Sequence, residues 1–197
     1  MFLSCSTQSK YDQFWSWFSE NQHKYYSHDN THEHLYDQLN LQLKLIDENL
    51  TFEFGPQLKN GVREFIISAD GIKESFSSVT LLVDKAPKLK NWKVLAFRQR
   101  ISGDDISIVM GATNLSYDDI YFKHEIEGNK VNLTLYIQNY KDIGQYKSAT
   151  YILLDGLIGE FDMETKVGWI EFRKLNENEN GQLLKIIKLR EIVDEIK

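Results

Sequence analysis

The order of strand and helix patterns is the feature of this sequence that most restricts its fold. Residues 50–100 and residues 119–174 each predict two strands, then a helix, then a third strand. The third strand carries a tryptophan in both segments, Trp92 in the first and Trp169 in the second. Because one order occurs twice, we interpret the two segments as a structural pseudo-repeat. The sequence therefore predicts an α+β fold.

Turn residues divide the first segment into its elements. The predicted elements are strands at 50–54, 62–69 and 92–97 and a helix at 76–83. Gly55-Pro56 is expected to end the first strand, and Asp70-Gly71 is a strong turn pair after the second. Pro87 is expected to stop the helix.

Turn residues also separate the predicted elements of the second segment. Its predicted elements are strands at 120–126, 131–137 and 167–172, a helix at 146–158, and a further short strand at 106–110 before them. Gly128-Asn129 predicts a tight hairpin between the first two strands of the segment. Gly159 is a candidate C-cap of the helix.

Helices are predicted on both sides of the repeated segments. Residues 8–47 indicate a helix pair, the first helix at about 12–26 and the second starting at Asn30 or Thr31. Residues 182–197 carry a broad apolar stripe that predicts a C-terminal helix. We expect the two segments to join into one mixed or antiparallel sheet with helices mainly on one face. The chain of 197 residues is then a single α+β domain.

Net charge restricts the class of partner. The chain has 29 acidic and 23 basic residues, a formal net charge of −6. Binding to a nucleic-acid backbone needs a basic face, so we expect no nucleic-acid partner. A local basic stretch runs from Lys85 to Arg100, and the preferred interpretation is a solvated helix end and the rim of a strand.

The cysteine count and hydropathy bear on location. Cys5 is the single cysteine, so no intrachain disulfide can form, which suits a reducing compartment. No apolar run approaches the roughly 18 residues of a membrane span. These features predict a cytoplasmic protein without a transmembrane segment. The alternative is a lipid anchor at Cys5, if the true start lies upstream.

The usual catalytic signatures are missing from the sequence. It contains no Gly-x-Ser-x-Gly nucleophile elbow and no glycine-rich phosphate loop. We therefore predict no catalytic residue and no cofactor. Four histidines cluster at His23, His28, His32 and His34, and the four-residue spacing of His28 and His32 is one that zinc ligands use. A helix starting between them would spoil that geometry, so a solvated turn is the preferred interpretation and no metal is predicted.

Three carboxylates are the candidate pocket residues: Asp70, Glu160 and Asp162. Asp70 lies between a strand and a helix, a common place for ligand-binding groups. Glu160 and Asp162 alternate along the chain, which places them on one strand face or in a loop. The simpler interpretations are turn chemistry for Asp70 and solvated loop charge for the other two.

Several short motifs resemble a dispersed family of uncharacterised bacterial proteins, a domain of unknown function. They are Phe14-Trp15-Ser16-Trp17-Phe18 followed by Asn21, Ser68-Ala69-Asp70-Gly71, Leu82-Val83 through Ala86-Pro87, Trp92-Lys93-Val94, and Leu154-Asp155-Gly156-Leu157-Ile158-Gly159-Glu160. These motifs span most of the chain. The resemblance implies a common fold and brings no activity, substrate or catalytic residue with it.

Size, charge and aromatic content favour a non-enzymatic protein-binding module. Aromatic residues make up 13% of the chain, and tyrosine and tryptophan are enriched at protein interfaces. One concrete version is an immunity-type protein that masks a toxin enzyme, because an acidic face complements a basic nuclease surface. The alternative is a small-molecule-binding protein or an enzyme with a pocket around Asp70, Glu160 and Asp162.

Overall fold

The computed structural model describes residues 8–26, 33–176 and 182–196. The chain divides into two compact units, unit 1 ending at Phe97 and unit 2 beginning at Arg98. The organisation of the chain as a single domain stays a prediction. The mixed α+β class, the N-terminal helix pair and the C-terminal helix are all confirmed.

Unit 1 combines a helix pair with a small mixed sheet. Its elements are α1 (Lys10–Tyr26), α2 (Glu33–Lys44), β1 (Thr51–Gln57), β2 (Arg63–Ser68), α3 (Phe76–Asp84) and β3 (Trp92–Ala96). The strand order is β1-β2-β3. β1 pairs with β2 in antiparallel direction, and β2 pairs with β3 in parallel direction.

Aromatic side chains fill the core of unit 1. The helical spacing of Phe14, Trp15 and Phe18 places all three on the buried face of α1. The Phe18 ring stacks on the ring of Phe65 from β2, with centroids 4.6 Å apart. The buried Trp15 indole N–H donates a hydrogen bond to the Leu82 carbonyl oxygen at 2.7 Å, so this polar atom is satisfied. Each fully buried side chain contributes about 1.5–3 kcal/mol of hydrophobic stabilisation.

Unit 2 contains a hairpin, a four-stranded sheet and three helices. Its elements are β4 (Ser107–Met110), β5 (Thr113–Ser116), β6 (Ile120–Glu127), β7 (Lys130–Ile137), α4 (Gly144–Ile158), α5 (Glu160–Lys166), β8 (Val167–Lys174), β9 (Leu184–Lys185) and α6 (Leu189–Glu195). β4 and β5 pair with each other, and the larger sheet has the order β8-β7-β6-β9. The central strand β7 is antiparallel to β6 and parallel to β8.

One face of the four-stranded sheet forms the core of unit 2. Val131, Leu133 and Leu135 alternate along β7 and are fully buried. They belong to one cluster with Leu154 and Leu157 of α4. The opposite face of the same strands carries mostly polar side chains. This period of two assigns one face to the core and leaves the other for different contacts.

The pseudo-repeat is present in the topology. In unit 1 the strands β1, β2 and β3 lie side by side in chain order, first antiparallel and then parallel, with α3 between the second and third. In unit 2 the strands β6, β7 and β8 repeat the same order and directions, with α4 and α5 between the second and third. The predicted strand-strand-helix-strand order is therefore found twice.

The two units do not share one sheet. Among the described residues the strands form three separate sheets, of three, two and four strands. The expectation of one joint sheet fails because each unit buries the apolar face of its own sheet with its own helices. Neither set of strands needs the other to cover its apolar side chains.

Two elements differ from the predicted pattern in unit 2. The strand expected at 106–110 is present as β4, but its partner β5 was not predicted, because four residues carry too little alternation. Glu160–Lys166 forms the helix α5 where a strand face or loop was expected. Gly159 separates α5 from α4 with a φ of 84°, a backbone conformation that only glycine adopts without strain.

Other boundaries also shift. Gly55 and Pro56 lie inside β1 at an irregularity in the register, rather than ending the strand. The C-terminal helix is shorter than expected, because Ile186–Lys188 forms a 3-10 turn. The predicted helix start at Asn30 or Thr31 lies outside the described residues. Within the described ranges no helix is long and apolar enough to cross a membrane.

Candidate functional site

Asp70 lies in the turn that follows β2 of unit 1. Its φ of 49° and the φ of 77° at Gly71 are both left-handed, which gives the tight turn expected from this pair. The Asp70 backbone N–H donates to the Ser68 hydroxyl at 3.0 Å. The side chain is exposed, and Asp70 belongs to a different unit from Glu160 and Asp162.

Glu160 is fully buried at the first turn of α5. One of its carboxylate oxygens accepts the Arg98 backbone N–H at 3.0 Å. Its own backbone N–H donates to the Arg98 carbonyl oxygen, also at 3.0 Å. Through its carboxylate and its backbone N–H together, Glu160 joins α5 to the start of unit 2.

Asp162 lies two residues further along α5 and forms ion pairs. Its carboxylate binds the Arg100 guanidinium at 2.7 Å and the Lys166 ammonium at 3.4 Å. Arg100 also binds Asp194 at 2.7 Å and donates to the Ile158 carbonyl oxygen at 2.8 Å. Burial lowers the pKa of Arg100, but its hydrogen bonds to Asp194 and Asp162 outweigh burial and raise it. These contacts hold residues 98–100 against α5 and α6.

Asp155 is the titrating group that the sequence did not single out. It lies on the last turns of α4, and Arg98 approaches its carboxylate at 3.5 Å. Burial raises the pKa of Asp155 to about 6; Arg98 opposes this shift, and Glu160 and Glu164 add to it. The sequence offered no signal, because the burial depends on how α4 and α5 pack.

The structure therefore brings Glu160 and Asp162 into one network in unit 2. Asp162 lines a concavity of about 340 Å³ together with Arg100, Ile158 and Gly159. The Asp162 carboxylate is engaged by Arg100 and Lys166, and the Glu160 carboxylate by the Arg98 main chain. These contacts support a structural role for both side chains.

A second surface of unit 2 has the composition of a binding site. It is the polar face of the four-stranded sheet, on the side opposite the core, and we call it the open face. The cross-strand register places together on it Lys123, Glu125, Thr134, Tyr136, Glu171 and Arg173, and Trp169 lines the same surface. A concavity of about 540 Å³ lies over this surface, lined also by Gln182 and Leu184.

Aromatic and cationic side chains dominate the open face. Trp169 keeps 50% of its surface exposed, although it is a large apolar side chain. Tyr136 is only 4% exposed, with the Lys123 ammonium and the Arg173 guanidinium over its ring at 5.7 and 5.9 Å. Arg173 also binds Glu171 at 2.9 Å, and this hydrogen bond raises the pKa of the guanidinium. The open face thus presents an exposed indole and a cation-covered phenol, which line the same concavity.

Trp169 is fixed by the strand next to it. The Asn132 side-chain oxygen accepts the Trp169 backbone N–H at 3.2 Å, across an irregularity in the pairing of β7 with β8. The Asn132 amide nitrogen donates to Glu127 at 3.2 Å. Asn132 occupies the space where a Cβ of residue 168 would lie, which explains the glycine there. The indole therefore projects from a well-defined backbone.

The sequence singled out Trp169 as part of a repeat and not as a surface residue. The alternation of side chains in β6, β7 and β8 could have assigned these residues to one face. It could not show that the face stays exposed, because that depends on which elements cover the sheet. His28, His32 and Cys5 lie outside the described residues. Among the residues that are described, no three His, Cys, Asp or Glu side chains are arranged to hold a metal ion.

Comparison with known proteins found no matching family model, no matching curated protein and no matching solved structure. The resemblance to uncharacterised bacterial proteins therefore stays a prediction.

Proposed function

We propose that this chain is a non-enzymatic protein-binding module and that the open face of unit 2 is its contact surface. The observation that carries the proposal is the half-exposed Trp169, which lines one concavity together with Arg173 and Tyr136. Tryptophan, tyrosine and arginine are the residues most enriched among those that dominate binding energy at protein interfaces. Leaving an indole half in water is unfavourable unless a partner covers it.

The form of the surface favours a macromolecule over a small ligand. A small-molecule site typically encloses ~70–90% of its ligand in a cleft. The open face instead extends over three neighbouring strands. The carboxylates of Glu160 and Asp162, which the small-molecule alternative requires, already bind groups of the protein itself.

The net charge favours a partner with a basic surface. At −6, the chain attracts positively charged proteins over long range and raises their association rate. An immunity-type role, in which the chain covers a basic toxin enzyme, is the version of the proposal that uses this charge. A captured enzyme that loses activity when the chain is added would support that version.

The test is affinity capture with matched variants. Tagged wild-type protein, Trp169→Ala and Tyr151→Ala are compared in lysate of the source cells over a series of salt concentrations. Tyr151→Ala is the control because Tyr151 is 44% exposed in the same unit and contacts Phe172, on the core side of the sheet. We expect a stoichiometric partner that Trp169→Ala weakens by about 2 kcal/mol or more, as at interface hot spots.

The two variants test the contact surface, and the salt series tests whether the partner is basic. Loss of the partner with Trp169→Ala but not with Tyr151→Ala supports the open face as the contact surface. A partner lost equally with both variants, or retained with both, contradicts it. A partner that is insensitive to salt contradicts the basic-partner version alone.

A further inference from the structure

The outer edge of β1 in unit 1 carries backbone groups that have no partner among the described residues. The Phe97 backbone N–H donates to the Ile67 carbonyl oxygen at 2.8 Å, so the backbone groups of Ile67 point toward β3. Ile67 faces Phe52 in the antiparallel register, and Phe65 faces Phe54. In such a pair both residues direct their N–H and C=O groups away from each other. The backbone groups of Phe52 and Phe54 therefore point to the outer edge.

No strand lies along that edge within the described part of the chain. No hydrogen bond to the outward groups of Phe52 or Phe54 occurs there either. Pro56 fits this position, because proline is tolerated on an edge strand, where no neighbour needs its missing N–H. An unpaired edge of this kind is a template for another extended chain.

A groove accompanies the edge. A concavity of about 380 Å³ is lined by Tyr36 and Asn40, one turn apart on α2, and by the consecutive residues 51–54 of β1. The Tyr36 ring contacts the rings of Phe52 and Phe54, with centroids 5.8 and 6.2 Å apart. Consecutive strand residues can line one cavity only if the backbone edge itself is exposed to it. The groove therefore offers both hydrogen-bonding groups and aromatic surface.

The flank of α2 beside the groove is acidic. Glu33 lies three residues before Tyr36 and Asp37 three residues before Asn40, a helical spacing that places both acids beside the groove, and both are exposed. Lys44 is the single lysine or arginine of α2. This excess of negative charge favours a positively charged occupant. It disfavours a second copy of this chain, because two copies joined edge to edge would bring their acidic α2 flanks together.

We propose that the groove between α2 and β1, here called the edge groove, binds an extended segment of another protein that carries basic side chains. The segment adds as a strand to the outer edge of β1. Its backbone bonds to Phe52 and Phe54, its apolar side chains contact Tyr36 and the two phenylalanines, and its basic side chains lie near Glu33 and Asp37. Main-chain bonds supply affinity and the flanking groups supply selectivity, as in other strand-addition sites.

The probe is a fluorescent peptide, blocked at both ends, in which lysine and valine take turns on one strand face and threonine occupies the positions between them. Binding is followed by fluorescence anisotropy, and hydrogen exchange at Phe52 and Phe54 by NMR. We expect the exchange of both amides to slow by about tenfold or more in the bound protein. Two control peptides are expected not to bind: one with alternate amides N-methylated, and one with glutamate in place of lysine.

Matched variants test the site. Asp37→Lys is expected to weaken binding of the lysine-valine peptide by about three- to tenfold. Asp84→Lys makes the same charge change at the exposed end of α3 and is expected to change affinity less than about twofold. Trp169→Ala is expected to have no effect, so failure at this site is distinguishable from failure at the open face.

Three results would overturn the proposal: unprotected Phe52 and Phe54 amides in the presence of saturating peptide, equal effects of the two charge variants, or equal binding of the N-methylated peptide. Sedimentation analysis supplies a fourth. If the chain is a dimer whose Phe52 and Phe54 amides are protected without peptide, a second copy occupies the edge.

Discussion

A single glycine determines how Trp169 is presented on the open face. The Asn132 side chain fills the space beside the Gly168 backbone and accepts the Trp169 N–H. A Cβ at residue 168 would overlap the Asn132 side-chain oxygen, so that side chain must move and give up its hydrogen bond. Position 168 thus couples close packing to the orientation of a candidate binding residue.

Gly168→Ala is therefore expected to destabilise the protein by about 2–3 kcal/mol, the sum of overpacking and a lost buried hydrogen bond. Urea denaturation measures the change in the free energy of unfolding. In a double-mutant cycle, Asn132→Ala should remove part of the cost, because the overlap disappears. Gly144→Ala is the control, since no atom lies within 4 Å of a Cβ there. Equal effects of the two glycine substitutions would contradict this account.

Burial of Asp155 disfavours the ionised form of its carboxyl group. Its pKa in the folded protein, about 6, lies above its ordinary value of 3.8, and burial is the main cause. Folding therefore favours the protonated form. The contribution of Asp155 to stability is largest below about pH 4 and is lost as the pH rises through 6.

Asp155→Asn is expected to be more stable than wild type at pH 8 by about 1–2 kcal/mol, because the amide carries no charge to desolvate. The difference should disappear below about pH 3, where wild-type Asp155 is protonated in both states. Urea denaturation at the two pH values measures it, and NMR titration of the Asp155 carboxyl group checks the pKa directly. A variant that is less stable than wild type at pH 8 would show that the bond to Arg98 outweighs desolvation.

At the scale of elements, Asp47 connects the end of the helix pair to the start of α3. Its carboxylate accepts hydrogen bonds from the Asn49 backbone N–H at 3.1 Å and from the hydroxyls of Ser75 and Ser78 at 2.9 and 2.8 Å. Burial raises the pKa of Asp47, but these hydrogen bonds outweigh burial and lower it below its ordinary 3.8. The stabilisation is present above about pH 4 and is lost as the pH falls through the folded-state pKa.

Asp47→Asn is expected to destabilise the protein by about 1–2 kcal/mol at neutral pH, because the amide nitrogen cannot accept a hydroxyl hydrogen bond. The difference from wild type should shrink as the pH falls below 4. Asp84→Asn, on an exposed side chain at the end of α3, is the control and should change stability by less than about 0.5 kcal/mol. A difference that is constant from pH 3 to pH 7 would rule out the charge of Asp47 as its cause.

Sequence patterns predicted most elements because their signals are local. The turn pairs Asp70-Gly71 and Gly128-Asn129 separate elements where expected, and both sets of three strands were predicted. The helix α5 was missed because its start depends on a tertiary contact, the pairing of Glu160 with the Arg98 main chain. Local alternation of acidic residues carries no information about that contact.

At the scale of the whole molecule, the sequence predicted the strands but not which strands share a sheet. Hydrophobic periodicity shows which face of a strand is buried and not which sheet the strand joins, so the three separate sheets could not be foreseen. The candidate site shows the same limit. Glu160 and Asp162 are close in sequence and share one network, whereas Asp70 lies in the other unit. Which groups converge, and whether they remain available to a ligand, depends on packing over long sequence separations.

Surface charge determines how strongly copies of the whole molecule repel each other. With a net charge of −6 and an isoelectric point of about 5.4, repulsion between copies is weakest near pH 5.4, so solubility should be lowest there. Leu41 on α2 and Leu45 directly after this helix are exposed by 63% and 72%, and they add apolar surface that favours association. Replacing both with glutamate should move the solubility minimum below pH 5.4 and raise solubility at neutral pH. Replacing both with lysine removes the same apolar area but should move the minimum toward neutral pH. Light scattering over a pH series measures both shifts; equal gains at neutral pH from the two variants would show that the exposed leucines, and not the charge, control association.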